Sequence, residues 1–170
     1  MRLLRLVWIV GVSVGLTGCA GYRLGPSNGQ VAGEKSIQII PFTNHTPEPR
    51  IGDDVTAALR KQVQHDATFR LATHEAGDIV VTGVLTRYSR EELSIVPNDV
   101  TAAQDFRIQL TAQVTARDRN TGKVLLDQPV SGYTLIRVYS DLTSTERQAW
   151  PLLATDLATH LVALLADGNW

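Results

Sequence analysis

The sequence predicts an α+β domain in which two helices pack on one face of a roughly four-stranded, mixed and mainly antiparallel sheet. Three observations carry this prediction: a twelve-residue stretch of strict alternation, two amphipathic helical stripes, and elements in the order β-α-β-β-β-α. Helices gathered on one face of such a sheet bury both stripes against a single apolar sheet face. We expect residues 36–170 to form this one domain.

The first strand and the first helix are predicted between residues 36 and 65. Residues 36–42 are rich in β-branched side chains, and Pro41 closes the run. Residues 43–49 form a turn-rich loop. Apolar residues then recur every fourth position, which predicts an amphipathic helix. Its stripe consists of Ile51, Val55, Leu59 and Val63, with Ala58 beside it.

Two further extended segments and a loop follow the first helix. Residues 69–71 form a short extended piece, and residues 78–88 form a longer strand. A strand, a helix and a second strand in this order are expected to place the two strands parallel. Residues 91–103 have no clear period and contain Pro97, so we expect a long mobile loop there.

The clearest pattern in the chain predicts a half-buried strand and a hairpin. Apolar and polar residues alternate from residue 106 to residue 117, as in a strand with one face on a core. Residues 118–122 form the hairpin turn, with Gly122 free to adopt positive φ. The return strand runs from Lys123 towards Tyr139. Pro129 within it indicates a bulge or an edge position, since proline cannot donate to the ladder.

The last helix is predicted from a capping motif and an apolar stripe. Residues 143–146, Thr-Ser-Thr-Glu, resemble a capping box. Pro151 lies roughly two turns inside this start and is expected either to kink the helix or to restart it. The stripe consists of Trp150, Leu153, Leu157, Leu161 and Leu164.

The N-terminus predicts a lipoprotein leader. Arg2 and Arg5 precede an apolar run of about 11 residues, which is too short to span a bilayer. The run ends in Leu-Thr-Gly-Cys, which is similar to the lipobox of bacterial lipoproteins and makes Cys19 the acylated N-terminus. We expect residues 1–18 to be the signal peptide and residues 19–35 a flexible tether. No later stretch is expected to span a membrane.

Charge and composition exclude several classes of partner. Removal of the leader leaves 14 basic residues against 17 acidic ones, a net charge of −3. This balance argues against nucleic acid, because binding phosphates needs concentrated Lys and Arg. Cys19 is the only cysteine, so no disulfide is expected. The membrane contact is therefore expected to come from the N-terminal lipid.

A search for reactive groups predicts no catalytic residue, no cofactor and no metal site. The chain lacks nucleophile-elbow and phosphate-loop motifs, and its four histidines do not form a metal-binding pair. Basic residues on the alternating strand and its hairpin are more informative, because arginine binds phosphate in a bidentate manner. Arg87, Arg90 and Arg137 are expected nearby. The candidate lipopolysaccharide contacts are Arg107, Arg117, Arg119 and Lys123.

Three segments resemble the LptE-like lipopolysaccharide-assembly lipoproteins. Residues 19–24, Cys-Ala-Gly-Tyr-Arg-Leu, look like the acylated cysteine and the Gly-aromatic-x-Leu signature of that family. Residues 37–47 look like its first strand and loop. Residues 54–60 and 141–157 look like its two helices. The resemblance covers most of the mature chain.

The resemblance implies a function without turnover. LptE-like proteins are outer-membrane lipoproteins that face the periplasm and sit inside the wide LptD β-barrel. There they plug the lumen, assist barrel assembly and help to deliver lipopolysaccharide to the outer leaflet. The family fold of two helices on a four-stranded sheet agrees with the pattern above. Ala20 after the cysteine fits outer-membrane sorting, and Cys19 is the functional position that transfers directly.

Two other functions compete with this interpretation. The segment Ile-x-Pro-Phe-x-Asn-x-Thr before an amphipathic helix also occurs in other envelope lipoproteins. These include regulators of cell-wall synthases of the LpoB type and secretion-pore subunits of the CsgG type. The first would bind a synthase, and the second would assemble into a ring.

Overall fold

The computed structural model describes residues 32–74, 76–93 and 104–168. The predicted signal peptide, Cys19 and most of the tether lie outside the described residues, as do residues 94–103 of the predicted loop. Six strands and two helices are present in the described part. They are β1 (Ser36–Ile39), β2 (Thr43–Asn44), α1 (Ile51–Asp66), β3 (Arg70–Leu71), β4 (Ile79–Glu92), β5 (Gln104–Asp118), β6 (Val124–Val138) and α2 (Leu142–Asp167).

The strands form one mixed sheet in the order β3-β1-β4-β5-β6, with β2 also paired to β4. β1 pairs in parallel with both β3 and β4, while β4, β5 and β6 form an antiparallel meander. The α+β class and the parallel first strands are confirmed. The count exceeds the predicted four because two further strands of two residues each join the sheet, β2 paired with β4 and β3 paired with β1.

The meander confirms the predicted alternation. Every second side chain of β5 from Phe106 to Ala116 is buried, and the intervening ones lie on the open face of the sheet. Gly122 in the hairpin has φ +70°. Pro129 lies on β6, which ends the sheet, and pairs with Gln113 without a register shift. Of the two alternatives for Pro129, the edge position is therefore the correct one.

A β-bulge in β4 decides which side chains reach the helices. The register of β4 against β5 shifts between Leu85 and Arg87, so one extra residue, Thr86, lies in β4. Before the bulge, Leu85 faces the core. After it, Tyr88 and Arg90 lie opposite the inward-facing residues of β5, which places them on the helix side of the sheet.

Both helices cover the same face of the sheet, as predicted. The whole predicted stripe of α1 is buried, with Ala58 partly buried. α2 packs on β5, β6 and α1 through Trp150, Leu153, Leu157 and Leu161. The prediction for Leu164 is wrong, because that side chain is 38% exposed whereas Leu165 is buried.

The start of α2 differs from the predicted capping box. The N-cap is Asp141, whose carboxylate accepts a hydrogen bond from the backbone N–H of Thr143 at 3.0 Å. Glu146 is therefore free of a capping role, and its side chain is buried. Pro151 lies inside one continuous helix, so the helix does not restart there.

α2 is long and apolar enough to cross a membrane by length and composition alone. By this criterion, the expectation that no stretch after the leader could span a membrane is wrong. Half of the relevant window is buried within the domain, and the core helix of a soluble protein meets the same criterion. Its apolar content is explained by packing against the sheet and α1.

Candidate functional site

Three of the four predicted contact residues lie at the β5–β6 hairpin, and we call them the basic hairpin group: Arg117, Arg119 and Lys123. The backbone N–H of Arg119 donates to Asp78 O at 2.8 Å, and its guanidinium donates to Gln38 Oε1 at 3.1 Å. These two bonds fix the hairpin against the start of β4 and against β1. The group therefore has a defined position at one end of the sheet.

The turn itself is organised by Asp118. Its carboxylate accepts hydrogen bonds from the backbone N–H groups of Asn120 and Thr121 at 2.9 and 2.8 Å. The bonds from Thr121, and then that from Asn120, hold the pKa of Asp118 below its ordinary value, and the charge of Lys35 adds to this effect. The carboxylate is thus engaged with the turn, and the cations of the basic hairpin group form no ion pair among the described residues.

Arg107, the fourth predicted residue, lies away from the basic hairpin group. Ten residues separate it from Arg117 on the same face of β5, which corresponds to about 33 Å along the strand. Its guanidinium pairs with Glu91 at 3.4 Å and lies 5.7 Å from the ring centroid of Tyr133. The four predicted residues therefore form two separate sites rather than one.

The other arginines also lie away from the hairpin. Arg137 forms a bidentate pair with Asp105, with contacts of 2.7 and 3.0 Å, at the end of the sheet where Arg107 lies. Arg90 pairs with Glu146 at 2.5 Å. Arg87 stands opposite Thr111 near the middle of the open face. The expected cluster around the hairpin is thus reduced to the basic hairpin group.

A buried polar contact joins the sheet to α2, and sequence reasoning missed it. Arg90 reaches the helix side because of the bulge in β4 and meets Glu146, which is 94% buried. Burial raises the pKa of Glu146, although the charge of Arg90 opposes this effect. Tyr88 and Trp150 lie beside the pair, and burial likewise raises the pKa of the Tyr88 hydroxyl. The contact fixes the first turns of α2.

An open cleft of about 610 Å³ lies between the start of α1 and the second turn of α2. Its charges are mixed, and no ion pair joins them to one another within the described residues. Burial, and then the neighbouring Asp53, raise the pKa of Asp54. The arrangement pairs no nucleophile with a base. The lining residues are Glu48, Pro49, Arg50, Asp53, Asp54, Arg147 and Trp150.

Metal-binding groups are not assembled in the described ranges. No set of three or more His, Cys, Asp or Glu side chains lies close enough there to hold an ion. Ser36 and Asp78 bond directly to each other at 2.6 Å without an intervening histidine. His160 contacts the backbone carbonyl of Ser131 at 2.9 Å. These polar contacts position strands.

The model of LptE, described as lipopolysaccharide-assembly, matches residues 34–165. The chain belongs to the LptE family. This match spans all the strands and nearly all of α2, so the family assignment rests on the whole folded domain of this LptE-family chain. No curated protein sequence matches the chain.

Solved structures support the fold of this LptE-family chain. A protein of Xanthomonas campestris superimposes with a TM-score of 0.55 at 12% identity, covering 85% of this chain and 92% of that protein. A hypothetical protein of Chlamydia trachomatis superimposes with a TM-score of 0.54 at 10% identity, covering 80% and 96%. At such low identity the likeness establishes the arrangement of helices and strands and nothing further.

Proposed function

We propose that this LptE-family chain is a non-enzymatic outer-membrane lipoprotein that plugs an LptD-type β-barrel and assists its assembly during lipopolysaccharide transport to the outer leaflet. The observation that carries the proposal is the family match over residues 34–165. In this proposal the domain faces the periplasm, and acylation of Cys19 holds it on the membrane. Its work is contact with the barrel rather than turnover of a substrate.

The leader supports the anchor. A short apolar run followed by Leu-Thr-Gly-Cys describes a lipobox, and each buried CH₂ of an acyl chain contributes about 0.8 kcal/mol to membrane binding. Several chains on Cys19 would therefore give a lasting attachment. Ala20 in the next position fits retention at the outer membrane, as in the family this chain resembles.

The open face of the sheet supports docking inside a barrel. The lumen of a transmembrane barrel is polar. The open face carries polar side chains that bond across strands: Thr111 Oγ1 to Ser131 Oγ at 2.9 Å, and Gln113 Nε2 to Asp127 Oδ1 at 2.8 Å. A surface whose polar groups are already partly satisfied loses little on leaving bulk water for a polar lumen.

The basic hairpin group supports contact with lipopolysaccharide. Phosphate groups are recognised by arginine and lysine, and arginine provides bidentate geometry. Arg117 and Lys123 are exposed and form no ion pair among the described residues, so their charges are available. Arg107 contacts both Glu91 and Tyr133, which makes it the weakest of the predicted contacts.

Co-purification tests the proposal. The tagged full-length chain is extracted in mild detergent, and its partners are identified by mass spectrometry. We expect a large outer-membrane β-barrel protein to be recovered with it. Recovery of a cell-wall synthase, or of a ring of this chain alone, would replace the proposal by one of the two competing functions.

The anchor and the basic hairpin group are tested by matched variants. Cys19→Ala should abolish labelling by a radioactive fatty acid and detach the protein from the outer-membrane fraction, while the domain still folds. Arg117→Glu combined with Arg119→Glu should weaken binding to purified lipopolysaccharide. Arg87→Glu is the control for each single substitution, Arg117→Glu or Arg119→Glu, since it makes the same charge change elsewhere on the open face. If the wild type, the hairpin variants and Arg87→Glu bind lipopolysaccharide equally, the basic hairpin group is not a lipopolysaccharide contact.

A further inference from the structure

Five cationic side chains line one end of the sheet, and we call them the basic row. At this end β1, β4 and β6 begin and β5 ends. The basic hairpin group supplies three of the cations, while β3 and the residue before β1 supply one each. The row therefore crosses the whole sheet from β3 to β6. Its members are Lys35, Arg70, Arg117, Arg119 and Lys123.

The charges of the basic row are available to an external anion. Lys35 is partly buried, the other four side chains are exposed, and none forms an ion pair within the described part of the chain. The acids inside the row are engaged elsewhere, since Asp78 is bonded to β1 and Asp118 to the turn. Glu34 and Asp66 are exposed acids nearby.

The opposite end of the sheet differs in this respect. There the arginines Arg107 and Arg137 are paired with Glu91 and Asp105. A cation that is already paired with a carboxylate offers little further attraction to an anionic surface. Of the two ends, the basic row therefore provides the cations that can bind phosphate groups.

A cleft of about 430 Å³ opens at the β3 side of the basic row. This volume lies within the usual range for small-ligand sites. Arg70, Thr73 and His74 are among the residues that line the cleft, so a cationic group and a hydroxyl group border it. The cleft offers room for a phosphate headgroup beside Arg70.

The chain enters the fold at this same end. The backbone N–H of Gly33 donates to Thr68 O, and the backbone N–H of Arg70 donates to Lys35 O, both at 3.0 Å. These bonds fix residues 33–35 beside the basic row. A lipid on Cys19 is therefore attached to the domain at its basic end.

The length of the linking chain limits which end of the domain can face the anchoring membrane. Thirteen residues lead from Cys19 to residue 32, and a chain spans at most about 3.6 Å per residue, or about 47 Å here. β5, with 15 residues, is about 50 Å long. Placing the opposite end on the membrane would require the linking chain to run along the whole sheet, which exceeds this reach.

We propose that the basic row lies on the anionic phospholipid headgroups of the membrane that holds the lipid anchor. Acyl chains on Cys19 keep the domain within reach, and the basic row adds attraction to the headgroup phosphates. Each lysine or arginine near such a surface raises the ratio of docked to undocked protein about fivefold. The inference rests on the proposed acylation of Cys19 and adds the orientation of the domain, with its basic end on the membrane.

Fluorescence quenching in vesicles tests this orientation. The mature acylated protein is reconstituted into vesicles of phosphatidylcholine and phosphatidylglycerol without lipopolysaccharide. A fluorophore is attached to Asn120→Cys in the hairpin or to Ser140→Cys beyond β6, both exposed positions. Cys19 is then blocked, so the introduced cysteine is the only thiol. A spin label on the lipid headgroups should quench the label at Asn120→Cys at least fivefold more strongly than that at Ser140→Cys.

Charge variants test the basic row itself. Arg70→Glu should lower the docked-to-undocked ratio reported at Asn120→Cys at least fivefold, because β3 then presents a carboxylate to the phosphates. Arg147→Glu makes the same charge change at an exposed position of the opposite end and should leave the ratio unchanged. High salt should weaken the quenching of the wild-type chain, which tests the attraction without a substitution.

The outcomes separate this inference from the proposed function. Failure of the protein to float with the vesicles contradicts the lipid anchor and overturns both. Flotation with equal quenching at the two ends, or with equal effects of Arg70→Glu and Arg147→Glu, overturns the inference alone. Quenching at Asn120→Cys that appears only after lipopolysaccharide is added assigns the cations to lipopolysaccharide and also overturns it. The barrel-capture result is independent of all three.

Discussion

The β1 side and the β6 side of the sheet both place an aspartate against a backbone N–H group, but they differ in how completely each is closed. On the β1 side, Asp78 accepts bonds from Ser36 N at 2.8 Å and Ser36 Oγ at 2.6 Å, and its own N–H donates to Ser36 Oγ at 3.0 Å. On the β6 side, Asp156 accepts one bond, from Tyr133. Ser36 is 94% buried, whereas Tyr133 is half exposed.

Each side also contains a glycine that permits a close approach of two backbones. A Cβ on Gly77 would lie 2.6 Å from Gln38 N, and a Cβ on Gly132 would lie 2.4 Å from Leu157 N. Gly77 belongs to the segment that precedes β4, and Gly132 supports the middle of α2. The comparison teaches that the β1 side is closed by three hydrogen bonds between Ser36 and Asp78, whereas the β6 side depends on one helix and leaves apolar side chains exposed.

The largest expected effect is at Gly132. In Gly132→Ala the new methyl group meets backbone atoms of α2, which cannot rotate away as a side chain does. We expect α2 to shift and the free energy of unfolding to fall by about 3 kcal/mol, measured by urea denaturation. Gly52→Ala is the control, because a Cβ at this position of α1 would lie at ordinary contact distances from Phe42 O and Asn44 Cβ, and alanine favours a helix. A loss below about 1 kcal/mol at Gly132 would mean that α2 is not held closely on β6.

A smaller loss is expected at Gly77. Its Cβ would also meet backbone atoms, but the segment before β4 can adjust more easily than a packed helix. We expect Gly77→Ala to lower the free energy of unfolding by about 2 kcal/mol in the same assay. If Gly77→Ala costs more than Gly132→Ala, the ranking of the two sides is reversed.

The elements with a long regular pattern could be predicted from the sequence. The alternation of β5 and the stripe of α1 determine which side chains are buried, and both predictions are confirmed. The separation of Arg107 from Arg117 can also be predicted from the sequence, since ten strand residues span about 33 Å. The prediction that the arginines cluster at the hairpin is wrong, because β4, β5 and β6 are 14 to 15 residues long and the arginines are spread along them.

Other features could not be predicted from the sequence, because they depend on contacts between residues that are distant in the chain. The bulge at Thr86 inserts one residue into an otherwise ordinary strand and turns Arg90 towards the helices. Asp141 and Thr143 are both suitable N-cap residues, and only the structure shows that Asp141 caps α2. Glu146 thereby becomes the buried partner of Arg90. The closure of β6 by Asp156 joins residues 23 positions apart.

A pH-dependent loss is expected at Ser36. The hydroxyl and backbone N–H of Ser36 hold the pKa of Asp78 below its ordinary value. A carboxylate with a depressed folded-state pKa stabilises the fold above its unfolded pKa, and this contribution is lost as pH falls through the folded-state pKa. Ser36→Ala should therefore cost about 1 kcal/mol at pH 7, and less below about pH 4. Urea denaturation at both pH values measures the difference. A cost that stays constant with pH would exclude the Asp78 carboxylate as its source.

The smallest effect is expected at Asp156, because the N–H that it caps lies at an exposed edge. In Asp156→Ala, water replaces the carboxylate at Tyr133 N, so the free energy of unfolding should fall by only about 0.5 kcal/mol. Asp156→Asn should restore most of this loss, since the amide oxygen can accept the same bond. A loss above about 2 kcal/mol would show that the β6 side is closed as firmly as the β1 side. The contrast between a firmly closed β1 side and a weakly closed β6 side would then be wrong.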